Sequence, residues 1–304
     1  MRSSLMLGLL LAGCGATNDE SPRASDQEPP PFAKSYLPAS PTARTIATPN
    51  LSAPSREAVS EPATAEQHYQ DGFRAFELNA YDVSVASYTA AIAVRADYKE
   101  AFAGRGHAHL ARGAYKAAVE DYAQSVRIDA TYEPGWYGRA LAQWVGGNLA
   151  GSESDYRKLL ELSPGNDWYH QRLSVVLYEA KKPDDVLKLY AAARGRYPDA
   201  LWSHTGYLQA LLDQEQLQQL VNECDALIAA SKHAPTARYY KGIAYLRGGD
   251  AKTARDILRT VVKDFPDDPA AWELLAEACE KLGDRSGMDE ALKKARDIRR
   301  GRGY

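Results

Sequence analysis

Six histidines, three cysteines and a few paired acids are the residues whose types could do chemistry here, and their spacing limits which chemistry that is. His107 and His109 stand two apart, which on a helix turns them about 200° from each other, so they cannot chelate one metal ion. The pairs Asp184-Asp185 and Asp267-Asp268 open helical stretches, where carboxylates satisfy free N–H groups. No glycine-rich phosphate loop and no nucleophile elbow occurs. These patterns point away from an enzyme: no catalytic residue, no metal and no cofactor is expected. What the chain does carry is aromatic residues, whose chemistry is recognition of polypeptide by burial of large amphipathic side chains.

The elements that position those aromatics follow from a period. Tyrosine recurs at Tyr88, Tyr122, Tyr156 and Tyr190, always 34 residues apart. A period of 34 is that of a helix-turn-helix array. In a 34-residue frame laid from Ala65, the eighth column reads Gly72, Gly106, Ala140, Ser174, Leu208, Gly242 and Ala276, small in six of seven cases. The fifteenth holds Asn79, Gly113, Gly147, Gly249 and Gly283, and the thirty-second Pro164, Pro198 and Pro266. Small residues let helices approach within ~8–10 Å. Glycine or asparagine ends the first helix in the left-handed region, and proline cannot continue the second. The fourth column, with Phe102, Trp136 and Trp272, also holds His170 and His204, which read as packing residues.

This pattern resembles the tetratricopeptide repeat. The resemblance implies an all-α fold: a right-handed superhelical solenoid of seven repeats, at 65–98, 99–132, 133–166, 167–200, 201–234, 235–268 and 269–302. The fifth is the most irregular, with Leu208 at the small column and Lys232 where proline is usual, and a local change of superhelical angle is expected there. Cys224 and Cys279 fall in core columns of separate repeats, beyond the ~7 Å Cα limit of a disulfide, and are expected as buried free thiols.

By the same resemblance, columns 2, 5, 9, 12 and 13 of each first helix line a concave groove. Those columns supply Tyr69, Phe73, Phe76, Tyr137, Leu141, Trp144, Trp168, Tyr178, Trp202, Leu212, Tyr239 and Ile243. Two readings stand for them: anchors for a bound polypeptide, or packing against neighbouring repeats. Groove charge leans acidic, against Arg172, Arg247 and Lys281. Glu273, Glu277 and Glu280 stack like charges on one helix face, and either receive basic residues of a partner or form a solvated face. The lysine and asparagine set with which chaperone-binding relatives clamp a peptide terminus is not in place. The basic residues from Lys281 onward suit the end of a last helix.

Ahead of the repeats, Arg2 and the apolar run Leu5 to Leu11 are too short to span a bilayer. Leu11-Ala12-Gly13-Cys14 resembles the lipobox of bacterial lipoproteins, which implies a signal peptide at 1–13 and an acylated Cys14; an ordinary cleaved signal is the alternative. Residues 14–64 contain nine of the sixteen prolines and little to bury, and read as a disordered tether reaching roughly 40 Å. A net charge of −3 does not ask for nucleic acid. The expectation is a lipid-anchored scaffold of the bacterial envelope, on the outer membrane facing the periplasm. Its partners are other proteins of an envelope complex and, through Cys14, the bilayer. Pilotin-type lipoproteins that assist pilus or secretion machines have this architecture, as do adaptors for peptidoglycan enzymes. A glycan or small-ligand binding module is the alternative.

Overall fold

The computed structural model describes residues 63–301, and all regular structure among them is helical. The leader, Cys14 and the Pro-rich segment up to 62 lie outside the described residues. Fourteen α-helices follow in order: α1 Ala65–Glu77, α2 Tyr81–Val94, α3 Lys99–Ala111, α4 Tyr115–Ile128, α5 Glu133–Val145, α6 Leu149–Leu162 and α7 Asp167–Glu179, then α8 Pro183–Arg196, α9 Leu201–Asp213, α10 Leu217–Ala229, α11 Ala234–Arg247, α12 Ala251–Asp264, α13 Pro269–Lys281 and α14 Arg285–Gly301. The described residues form two compact units, 63–180 with α1–α7 and 181–301 with α8–α14. Within each unit every helix packs against the next along the chain.

Local chemistry fixes the helix starts. Thr64 and Gln67 form a reciprocal capping box on α1, at 3.2 and 2.7 Å. Asn148, Asn166, Asp250 and Asp268 accept from backbone N–H groups of the first turns of α6, α7, α12 and α13. Asp268 thus caps as expected, and Asp184 and Asp185 lie in the first turn of α8 behind Pro183.

The first helices end in one way throughout. The fifteenth-column residue has positive φ in every repeat: Asn79 58°, Gly113 75°, Gly147 84°, Lys181 59°, Glu215 56°, Gly249 86° and Gly283 73°. Around Gly147, its own N–H donates to the Trp144 carbonyl at 3.0 Å and the Asn148 N–H to Gln143 at 2.7 Å, the paired bonds of a Schellman motif. Lys181 and Glu215 adopt the same turn without glycine, at a backbone cost of ~1 kcal/mol or more.

Two of the period-34 tyrosines, Tyr88 and Tyr122, have a glycine fitted to each side. A Cβ on Gly72, in the same repeat, would lie 2.9 Å from the Tyr88 ring, and one on Gly104, in the next first helix, 2.5 Å. Gly138 repeats the second contact with Tyr122 at 2.2 Å, and Gly206 with Tyr190 at 2.1 Å. The rings are buried, Tyr88 and Tyr122 at 2% exposure and Tyr156 at 0%. The Tyr88 and Tyr122 rings therefore each join three helices of two successive repeats, and burying such a ring contributes ~2–3 kcal/mol. The sixth-column glycines complete the small-residue pattern, and only Arg172 interrupts them between Gly138 and Gly206.

The irregular fifth repeat is compensated within unit 181–301. Leu208, large where the column is small, shares a core cluster with Cys224, small where the first four repeats carry tyrosine and the last two leucine. Both cysteines are buried free thiols, as expected, and burial pushes the Cys224 thiol up to about 12. In place of a proline stop, α10 ends at Ala229, and Ser231 and His233 take left-handed φ of 53° and 48°. The sixth repeat's first helix consequently starts at Ala234, one residue ahead of the frame, with Pro235 in its first turn.

Candidate functional site

The first helices carry the expected recognition residues, and side-chain placement divides them. Tyr137 (8% exposed) and Ile243 (9%) belong to the core, and so does Leu212 (2%). For these three the packing reading applies, because fifth-, ninth- and twelfth-column side chains also meet the adjoining repeat. Tyr137 stacks edge-on to Tyr156 at 6.2 Å and lies 6.4 Å from Tyr169. Tyr69, half-buried, lies 5.5 Å from Tyr88 and 5.2 Å from Tyr98 and closes the first core cluster. Tyr239 is half-buried between the clusters of Leu208 and Leu258. Leu141 packs on the Tyr122 cluster.

The others stop short of burial. Phe73, Phe76, Trp144, Trp168, Tyr178 and Trp202 are all half-buried. Phe76 lies edge-on to His107 at 4.7 Å. The Trp144 indole N–H donates to the Glu179 carboxylate at 2.6 Å, linking α5 to α7 across an exposed position. Trp202 lies 5.7 Å from Tyr197.

The histidines have structural surroundings. His107 meets the Tyr122 hydroxyl through Nδ1 at 3.3 Å, and burial lowers its pKa to about 4. His109 turns to Asp121 at 3.7 Å; burial lowers its pKa although Asp121 opposes. In the fourth column, His204 Nε2 lies 2.8 Å from the Pro198 carbonyl, just as the Trp136 and Trp272 indoles donate to Ala130 and Pro266, each at 2.9 Å. A carbonyl only accepts, so His204 carries its proton on Nε2. His170 holds the Asn166 carbonyl with Nδ1 at 3.0 Å. Among the described residues no group of three or more His, Cys, Asp and Glu could hold a metal ion.

The acidic triplet of α13 is largely answered from within. Glu273 pairs with Arg299 at 2.6 Å and Glu277 with Lys281 at 3.3 Å, which leaves Glu280 exposed. Arg299 thereby spends part of the C-terminal basic charge on the chain's own carboxylates. In unit 63–180 the strong pairs join first to second helices. Arg105 grips Asp121 at 2.9 and 2.6 Å, and Arg139 grips Asp155 at 2.8 and 2.6 Å with Gln143 adding a bond at 2.8 Å.

Arg172 was expected from the sequence as one groove cation among three, but it stands in the sixth column, outside the groove columns, where Gly104, Gly138 and Gly206 pack on tyrosine rings. Its setting is particular: the guanidinium lies 3.9 Å over the Trp168 ring, and its Nε is buried without a hydrogen-bond partner. No pattern of columns announces this, because it arises from one arginine at a glycine position.

Comparison with known proteins came to the same repeat. Residues 72–133 and 211–278 each match a family described as tetratricopeptide repeat. No curated protein matches the chain. Similar solved structures include a tetratricopeptide repeat protein from Parabacteroides merdae, 11% identical over 77% of this chain and 93% of that one, with a TM-score of 0.46. The second TPR domain of the human RPAP3 protein, in complex with an HSP70 peptide, is 25% identical over 37% of this chain and 97% of that one, with a TM-score of 0.35. The first TPR of Spaghetti (RPAP3), bound to an HSP90 peptide, is 20% identical over 39% and 94%, with a TM-score of 0.38. With two matched stretches and helix pairs at that period, the chain carries tetratricopeptide repeats folded as a helical solenoid.

Proposed function

We propose that this protein is a lipid-anchored scaffold of the bacterial envelope, held through Cys14 and tethered by the Pro-rich segment, whose first helices bind polypeptide segments of an envelope complex. One contrast carries the reading. The second-helix tyrosines Tyr88, Tyr122, Tyr156 and Tyr190 are buried, whereas the first-helix aromatics Phe73, Phe76, Trp144, Trp168, Tyr178 and Trp202 keep part of their surface in water. The period-34 rings are sealed while these six first-helix rings stay half-open, so the first helices offer aromatic surface for binding. Trp144 adds a polar tip already bonded to Glu179, suited to an edge that is apolar on one side and wet on the other. The lipobox resemblance supports anchoring, and Gly15 after the cysteine supports the outer membrane over retention at the inner one. Assembly of a pilus or secretion machine, or recruitment of peptidoglycan enzymes, are the processes this architecture fits.

Photo-crosslinking in cells tests the reading. A crosslinker at Phe73 or Tyr178 should capture a discrete envelope protein, one at exposed Lys116 on α4 should not, and Trp144→Ala with Trp168→Ala and Trp202→Ala should abolish capture while helicity persists. Equal capture at both faces, or saturable oligosaccharide binding with no protein captured, would refute it. Incorporation of a labelled fatty acid that survives Cys14→Ala would refute the anchor.

A further inference from the structure

The rings of His204 and His233 lie in contact, 5.4 Å between centroids, and they connect two successive turns between repeats. His204, on α9, points its Nε2–H back at the Pro198 carbonyl in the turn that precedes that helix, 2.8 Å away. His233 closes the turn that precedes α11. Lys232 of the second turn also holds Asp199 of the first, at 2.6 Å.

What this cluster lacks is protons. His204 Nδ1 and His233 Nε2 are both buried and both without a hydrogen-bond partner. His204 has its proton on Nε2, and the His233 ring turns its other nitrogen to the Asp199 backbone carbonyl, which only accepts. Both unpartnered nitrogens therefore bear lone pairs, and an imidazole lone pair takes a proton in mild acid. A proton needs no cavity. Lys232 and Asp199 are the charged groups that face the pair. With both rings protonated, three cations stand against the single Asp199 carboxylate, whose side chain is 83% exposed and already engaged by Lys232. Water screens the two ring charges little, since His204 is 7% exposed. Burial first, and then His204, hold the His233 pKa below its ordinary value of 6.5. The neutral ring thus belongs to the folded turn, and its contribution is complete above pH 6.5 and lost as pH falls.

The turn is poised to move. It has Lys232 where the turns on either side have Pro198 and Pro266. Ser231 and His233 both hold left-handed φ, at 53° and 48°, and His233 gives α11 no side-chain cap. Residues other than glycine keep such a conformation only where their contacts impose it, and the contacts of the His233 ring are among those that do so here.

We propose that the His204–His233 pair is a proton-operated joint: neutral, it locks the turn between repeats 201–234 and 235–268, and charged in mild acid it releases that turn and the start of α11. The joint is independent of what the first helices bind.

Hydrogen exchange of the detergent-solubilised full chain, read by mass spectrometry at about pH 7.5 and about pH 5 with labelling times scaled for the intrinsic rate, tests this. Protection of residues 228–240 should fall at least about tenfold in acid, while that of 251–281, which contain no histidine, holds. His233→Asn suits a left-handed turn and takes no proton, so it should remove most of the loss. His204→Gln should do the same, and His107→Asn should leave the loss in place. Ring NMR of the wild type decides where a variant fails to fold: two histidine resonances should titrate with the midpoint of the exchange transition. An unchanged 228–240 at the lower pH, an equal loss across 251–281, or a loss that persists in both His233→Asn and His204→Gln overturns the proposal. A response abolished by EDTA would assign a metal ion to the pair and overturn it as well.

Discussion

Three glycine-to-alanine substitutions should separate the jobs that glycine does in this array. At Gly138 on α5 an added methyl would sit 2.2 Å from the Tyr122 ring, where ordinary contact begins at ~3.4 Å. Tyr122 cannot withdraw, because it is 2% exposed and Gly106 backs it from its own repeat, where a Cβ would already meet the ring at 3.2 Å. Helices α4 and α5 must separate by about 1 Å or the ring must leave its rotamer, an overpacking cost of ~1–3 kcal/mol. Alanine's helix propensity returns up to ~1 kcal/mol, so Gly138→Ala should destabilise by about 1–2 kcal/mol net. Gly195, inside α8 with nothing within 4 Å of its Cβ position, has only the propensity gain, and Gly195→Ala should stabilise by about 0.5 kcal/mol. Gly147 also faces open space but holds φ +84°, so Gly147→Ala should cost ~1 kcal/mol from the backbone alone. Urea unfolding followed by circular dichroism reads all three, with unchanged slope as the sign that only stability moved. In a Tyr122→Leu background, the cost at Gly138 should shrink while that at Gly147 stays. Gly138→Ala stabilising as Gly195→Ala does, or keeping its full cost beside Leu, would refute the ring-on-glycine packing.

Other substitutions follow from the same contacts. Glu215→Gly should stabilise by about 0.5–1 kcal/mol, since it relieves a left-handed residue at φ 56°, and no gain in the urea midpoint would count against strain there. Leu208→Ala should cost ~2–5 kcal/mol and Cys224→Tyr alone should overpack, yet the double variant should lose at least about 1 kcal/mol less than the sum, measurable as a double-mutant cycle. Asp155→Ala strands the Arg139 guanidinium and should cost ~3–5 kcal/mol, far more than Asp82→Ala at the exposed pair with Arg112. Burial holds the His107 pKa at about 4, below its ordinary value of 6.5, so the unfolded chain binds the extra proton first. Stability from this group is complete above pH 6.5 and is lost as pH falls toward 4, on the order of 3 kcal/mol, and His107→Asn should flatten that part of the pH profile of urea midpoints.

What the sequence could show depended on whether a position repeats. Tyrosine every 34 residues and glycine at the fifteenth column recur because each copy meets the same neighbours, so the helices and their stops were legible before any coordinates. Lys181 and Glu215 were not legible as left-handed residues, because their φ is imposed by the turn and not by the side chain. The sixth-column glycines escaped notice for a related reason. Their meaning lies in a ring from the preceding repeat, a contact that pairs two columns and that no single column displays. The same limit governs the recognition surface. Column position alone grouped Tyr137 and Ile243 with Trp144 and Trp168, although the first two are buried in the core and the latter are half-open. A departure from a column likewise has meaning only together with the residues around it. Leu208 departs, and Cys224 answers it within the core. Arg172 departs as well, and its guanidinium lies over the Trp168 ring with its Nε unpartnered, a placement that no column pattern displays.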